Sequence, residues 1–182
     1  MLIDTFCTRI IHINNVFNSD ILEYLNFIIK NESKDLAYYK KYNLTYISNI
    51  AEKENSDIDN NLIDEHINLK LINDGYEWKS YEKYWFNLYE NNTYHEAHDH
   101  YPIFLRPKDE IGFYYSCVIY MDDEGGTMFL NPNNTSFKKY FNIQSEKNSM
   151  ILFPSSLYHY SISSNSMRKT FATNGFLRGV NG

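Results

Sequence analysis

The chain has 182 residues, 43% of them hydrophobic and 17% aromatic, and a formal charge of −6 at pH 7. That length buries one core and is short for two, so a single domain over residues 1–182 is expected. Lysine and arginine do not exceed the acidic residues and form no stripe that would neutralise phosphates, so nucleic acid is not an expected partner.

The opening stretch, MLIDTFCTRIIHINNVFN, lacks a basic segment leading into an apolar run and a small-residue cleavage site. No later apolar run approaches membrane-spanning length, so the expectation is no membrane association and a cytoplasmic location. Cys7 and Cys117 are too few and too far apart for a disulfide framework and suit reduced thiols better, with one bridge left open.

In chain order, NSDILEYLNFIIKN (18–31) places Ile21, Leu22, Leu25, Ile28 and Ile29 on one helical face, with Ser19 or Asp20 as N-cap. Residues 60–73 offer a second helix with Leu62, Ile63 and Ile67 inward. These elements make residues 1–75 a helical support region.

Beyond residue 76 the pattern changes to short apolar or alternating runs: YWFNLYE, IGFYYSCVIYM, TMFLN, SMILFP, LYHYSIS and KTFATNGFL. Turn residues separate several of them, at 122–126, 131–134 and 163–165. Many short strands after two helices predict a mainly β, α+β fold. Its core, over 76–180, would be a double-stranded β-helix of the jelly-roll or cupin-like kind.

Three of the six histidines fall within YHEAHDH, at His95, His98 and His100. In an extended segment residues i and i+2 share a face, so His98 and His100 project together while Asp99 points away. His159 lies in a distant run of strand character that a jelly roll can bring alongside. Three protein ligands that leave coordination positions open describe a catalytic metal site rather than a closed structural one. Two other ligands stay open at this point: Glu96, on the face of His98 in the order E-x-H, and His95, opposite in a regular strand unless a bulge intervenes.

Arginine occurs only at 9, 106, 168 and 178. Arg168 follows His159 by nine positions, and Thr170 lies two residues further on the same strand face. A guanidinium grips a carboxylate in a fixed two-pronged geometry, and a hydroxyl beside it adds a donor. The combination predicts an acidic cosubstrate held next to a metal.

With its order of His98-Asp99-His100, His159 and Arg168-Lys169-Thr170, the chain resembles the iron(II)- and 2-oxoglutarate-dependent oxygenase superfamily. That family's pattern is H-x-D/E, a distal His, and then R-x-S/T. VIYMDDEGGTMFLNP and MILFPSSLYHYSI are similar to segments of its prolyl-hydroxylase-like members. WFNLYENNTYHEAHDH, with Trp85 and Asn87 ahead of H-x-H, resembles an oxygenase group common in bacteria and marine phages. The resemblance covers about residues 84–177. It implies Fe(II) on His98, His100 and His159, with 2-oxoglutarate chelating the iron and its far carboxylate on Arg168 and Thr170. Tyr120 is implied as a further donor to the cosubstrate, though it serves equally well as core filling. The implied activity is a dioxygenase that hydroxylates a C–H bond and releases succinate and CO2.

The sequence departs from the family at two places. His100 stands where most members have a carboxylate, which removes a negative charge from the metal and puts activity in question; it also fills the position that halogenating members leave open. Residues 101–115 look like an insertion near the metal, a lid carrying Arg106. The substrate is either an amino-acid or peptidyl side chain or a small metabolite. Tyr89, Tyr94, Tyr101, Phe104, Phe113, Tyr114, Tyr115 and Tyr158 are available as aromatic walls or as core. Two other functions remain open. PSSLYH (154–159) approximates a cupin motif, which would make a three-His dioxygenase without 2-oxoglutarate, and a non-catalytic jelly-roll binding module is the third reading.

Overall fold

The computed structural model describes residues 2–5, 8–32, 53–54, 58–89, 91–92, 94–95, 97–100, 113–131 and 140–180. Cys7, Glu96, Tyr101, Phe104, Arg106, the 132–134 part of one expected turn and residues 101–112 of the expected insertion lie outside these.

Two strands precede the first helix: β1 (Leu2–Thr5) and β2 (Thr8–Asn14). Residues 1–75 therefore supply strands as well as helices, which the local sequence does not announce. The outward side of β2 pairs with a strand from the far end of the chain, so its identity rests on a partner that local pattern cannot reveal. Helix α1 (Ser19–Glu32) follows, with Ile21, Leu25, Ile28 and Ile29 buried. Each such side chain is worth about 1.5–3 kcal/mol when fully buried. The cap is Asn18 rather than Ser19 or Asp20: its Oδ1 accepts from the Ile21 N–H at 3.0 Å.

After the short strand β3 (Lys53–Glu54) comes helix α2 (Asn60–Leu71), capped by Asp59, whose carboxylate accepts from the N–H groups of Asn61 and Leu62. A 3₁₀ turn over Ile72–Asp74 closes it, and Gly75 at φ 76° ends the run in the left-handed region. Helix α2 presents Ile63, Ile67 and Leu71 to the core. It is also tied to the sheet by polar groups. Asp64 accepts from Trp78 Nε1 (3.1 Å), the Ser80 N–H and hydroxyl (2.8 Å each) and the Tyr84 hydroxyl (2.8 Å). Asn68 bridges the Trp78 backbone through both N–H and C=O.

The remaining strands are β4 (Tyr76–Ser80), β5 (Trp85–Tyr89), β6 (Phe113–Tyr120), β7 (Gly126–Leu130), β8 (Tyr140–Gln144), β9 (Ser149–Pro154), β10 (His159–Ile162) and β11 (Arg168–Gly179). The main sheet runs β1-β2-β9-β6-β11-β5-β3, with β4 also on β11, and the smaller sheet runs β10-β7-β8. Every ladder among the described residues is antiparallel.

Period-two alternation divides the main sheet into two faces. Ile11, Phe86, Leu88, Cys117, Ile119, Met150, Leu152 and Phe171 turn toward the helices and form the larger core with them. Ile10, Tyr120, Ile151 and Phe153 turn the other way and pack with Phe129 and Ile143 of the smaller sheet. The result is a curled antiparallel half-barrel flanked by N-terminal helices, a jelly-roll, double-stranded β-helix type of α+β fold. Cys117 is free and buried in the helix-side core, where burial pushes its thiol pKa well up. Among the described residues, no helix is long and apolar enough to cross a membrane.

Candidate metal centre

His98 and His159 sit directly opposite one another in an antiparallel bridge that extends the smaller sheet beyond β10. Residues so paired carry their side chains on one face, and His100, two positions from His98, shares that face. The His100 N–H is held by Ser155 C=O at 2.8 Å, which continues the extended path. Strand pairing alone therefore converges three imidazoles.

One ring nitrogen from each of these histidines lies within 4.8 Å of the other two. His98 Nε2 and His100 Nε2 are 3.0 Å apart, a hydrogen-bond distance. It is also about the separation of two nitrogens that meet a common ion at 2.0–2.1 Å and a right angle. His159 Nδ1 lies 2.8 Å from Leu157 C=O, a contact in which only an N–H can donate, so Nε2 keeps its lone pair for the cluster. The three-histidine cluster can hold a metal ion.

Burial keeps two of these rings neutral. It pulls His159, wedged against Phe153 at 4.6 Å between ring centres, down to a pKa of about 3, with His98 adding to the effect. Burial likewise draws His100 down to about 4. At neutral pH no proton competes with a cation for the nitrogens of His159 and His100.

The cluster opens into a cavity of about 520 Å³, its mouth included, that Arg168 also lines. Arg168 is 2% exposed, its guanidinium carbon 3.9 Å from the centre of the Tyr89 ring. Nη1 makes only a long 3.4 Å contact to Gly126 C=O, and Nε and Nη2 have no hydrogen-bond partner among the described residues. Among the described residues, no carboxylate lines the cavity. A buried cation with two unsatisfied donors aimed at open space is costly by itself and suited to an anion that fills the space. Gly125 makes room for it: at φ 76°, a Cβ there would stand 2.5 Å from Arg168 Nη1.

His98, His100, His159, Arg168, Thr170 and Tyr120 all line this one cavity. Thr170 accepts from Asn87 Nδ2 at 3.3 Å, and the Tyr120 hydroxyl shares a 2.7 Å hydrogen bond with Thr127. His95 does not point away as a regular strand would require. Residues 94–95 follow no ladder, and its ring stacks on His98 with centres 4.1 Å apart. Of the aromatic residues considered as walls, Tyr89 lines the cavity, Tyr115 belongs to the helix-side core, and Tyr94, Phe113 and Tyr158 are exposed. Residues 113–115 of the expected insertion are the opening of β6. Trp85 and Asn87 are lining residues whose role in the cavity local pattern does not single out. Their signal is the i, i+2 spacing with Tyr89 in a strand buried on both faces.

No protein-family model matches the sequence, and neither does any curated protein. Solved structures do match. A prolyl hydroxylase from Trichoplax adhaerens, in complex with a hypoxia inducible factor oxygen degradation domain peptide fragment, aligns with a TM-score of 0.54 and 16% identity over 92% of this chain and 83% of its own. HygX from Streptomyces hygroscopicus, with nickel and 2-oxoglutarate bound, gives 0.58 and 12% over 92% and 82%. The viral collagen prolyl hydroxylase of Paramecium Bursaria Chlorella virus-1, as its 2OG complex, gives 0.51 and 15% over 94% and 96%. At such identities the likeness is one of fold. It is a distant structural match to oxygenases of the prolyl-hydroxylase-like double-stranded β-helix type, in a chain that also carries a histidine cluster able to hold a metal.

Proposed function

We propose that this protein is an iron(II)- and 2-oxoglutarate-dependent dioxygenase that hydroxylates an amino-acid or peptidyl side chain or a small metabolite. The observation that carries the reading is the pairing, in one cavity, of three convergent imidazoles with a buried arginine whose Nε and Nη2 lack partners among the described residues. His98, His100 and His159 would hold the iron, which when bound supplies the dioxygen chemistry.

The chain's own residues do the rest. Arg168 receives the far carboxylate of 2-oxoglutarate in a charge-assisted, two-pronged contact, and Thr170 and Tyr120 offer hydroxyls beside it. Trp85 and Val118 add apolar surface to the lining of the same cavity. The Leu157 carbonyl fixes the His159 tautomer. A three-His dioxygenase that does without 2-oxoglutarate leaves the Arg168 donors unexplained, so that reading is the weaker one.

Succinate release from 2-oxoglutarate in air by the iron-loaded protein tests the proposal. Release above that of iron alone, absent in Arg168→Ala and His159→Ala, supports it. Equal release by all three proteins contradicts it. Peptides and small metabolites are then ranked by how far they raise the release.

A further inference from the structure

His95 has no part in the role just proposed, yet the fold places it in the same cavity as the three convergent histidines. Its backbone N–H is bound by the Ser161 hydroxyl on β10, the strand that begins with His159, so it is pinned to the edge from which the cluster is built. Its ring lies 4.1 Å from that of His98 at an angle of 36°, closer than any other ring pair in the cluster. Neither ring nitrogen of His95 has a hydrogen-bond partner among the described residues. Its nitrogens also stand outside the set that lies within 4.8 Å.

Two facts about the cavity give this position a consequence. An ion on three imidazoles retains open positions, and among the described residues no carboxylate lines the cavity to fill one or to offset the ion's charge. Among those residues the next donor in the cavity lining, beside the cluster, is His95. We propose that His95 is a fourth, reversible metal ligand. It occupies a coordination position of the ion held by His98, His100 and His159 while no chelating acid is bound, and it gives that position up when one binds. The resting centre is then an all-nitrogen site that favours borderline divalent cations such as cobalt, nickel, copper and zinc over hard ones. This inference rests on the metal-site reading and adds a residue to it.

Cobalt(II) is the probe, titrated anaerobically into the full chain, because its visible absorption reports coordination number directly. His95→Phe keeps a ring against His98 and removes the nitrogens, and His95→Ala serves if the first variant does not fold. The inference predicts an affinity about 10–100-fold lower in the variant, of the order seen when groups supporting a metal site are removed. It also predicts a different visible spectrum, and convergence of the wild-type spectrum on that of the variant once 2-oxoglutarate is added. Unchanged affinity and spectrum in both variants overturn the role of His95 and leave the three-histidine site standing. Cobalt binding no tighter to the wild type than to His159→Ala overturns both.

Discussion

His98 and His159 exchange both of their backbone hydrogen bonds, each N–H donating to the other's carbonyl at 2.9 Å. One bridge thus joins a segment with little regular structure to the first residue of β10 and fixes the separation of two side chains far apart in sequence. The candidate metal centre is as rigid as this pair, because His100 follows from it by strand geometry and His159 is anchored a second time through Nδ1.

In the same cavity Arg168 carries a buried charge without an anion, and that has a stability consequence. Arg168→Met is expected to leave the ligand-free protein more stable by about 1–3 kcal/mol, as when buried charged groups give way to apolar ones of similar volume. In a chain of this size that raises Tm by about 2–4 °C per kcal/mol. The same variant is expected to lose all thermal stabilisation by 2-oxoglutarate. Thermal melts of both proteins with and without the acid check both halves. A lowered Tm in the variant would show that Arg168 is paired in the folded protein.

Gly125→Ala places a methyl where Arg168 Nη1 stands and forces a side chain onto φ 76°. The left-handed backbone costs about 1–3 kcal/mol. More tellingly, the methyl meets Arg168 Nη1 at 2.5 Å and presses less closely on the Ile162 carbonyl of β10 at 2.9 Å, so binding of 2-oxoglutarate should weaken at least tenfold and cobalt affinity much less. Calorimetry with each ligand separates the two effects.

Asp64 tests the other face of the sheet. Asp64→Ala leaves the Ser80 N–H and the Tyr84 hydroxyl without their acceptor, while the Trp78 indole N–H keeps the Tyr84 oxygen at 3.2 Å. At about 1–3 kcal/mol for each group left unsatisfied, a loss of about 2 kcal/mol or more is expected. Urea denaturation measures it. Metal affinity of the fraction that remains folded should not change, because Asp64 lies on the helix side.

These contrasts mark what sequence reading reaches. Helix α1 and helix α2 follow from periodicity and β5, β6, β7, β9, β10 and β11 from their apolar or alternating runs, whereas β4 and β8 fall outside those runs. His98, His100 and Arg168 are legible as motif residues because chemistry of that kind draws on few side-chain types. Strands β1 and β2 are not legible: they pair locally with each other, Thr5 opposite Thr8, but β2 is held on its other side by β9 from the far end of the chain. Asp64 reads as an ordinary polar helix residue until its four donors are assembled from β4 and Tyr84. The side on which His95 falls is left open by the sequence, because it depends on whether the segment is a regular strand, and residues 94–95 follow no ladder.

Acid should act on the metal-free protein through the histidines. In the folded chain two of them titrate low, His159 at about 3 and His100 at about 4, against an ordinary value of 6.5. Above pH 6.5 folded and unfolded chains are both neutral at these positions, and stability does not depend on them. Below 6.5 the unfolded chain takes up protons that the folded one refuses, so stability falls as pH drops from 6.5 toward 4. Melts across that window are expected to show a falling Tm whose slope is reduced in His159→Phe. A pH-independent Tm would mean that these rings titrate normally.

The most direct test of the central claim is an anaerobic titration of the metal-free protein with Fe(II) and 2-oxoglutarate, followed by visible absorption. Simultaneous chelation should produce a weak metal-to-ligand charge-transfer band that requires both additions, vanishes in His159→Ala and needs much more 2-oxoglutarate in Arg168→Ala. Iron binding with no such band at any 2-oxoglutarate concentration would contradict the account.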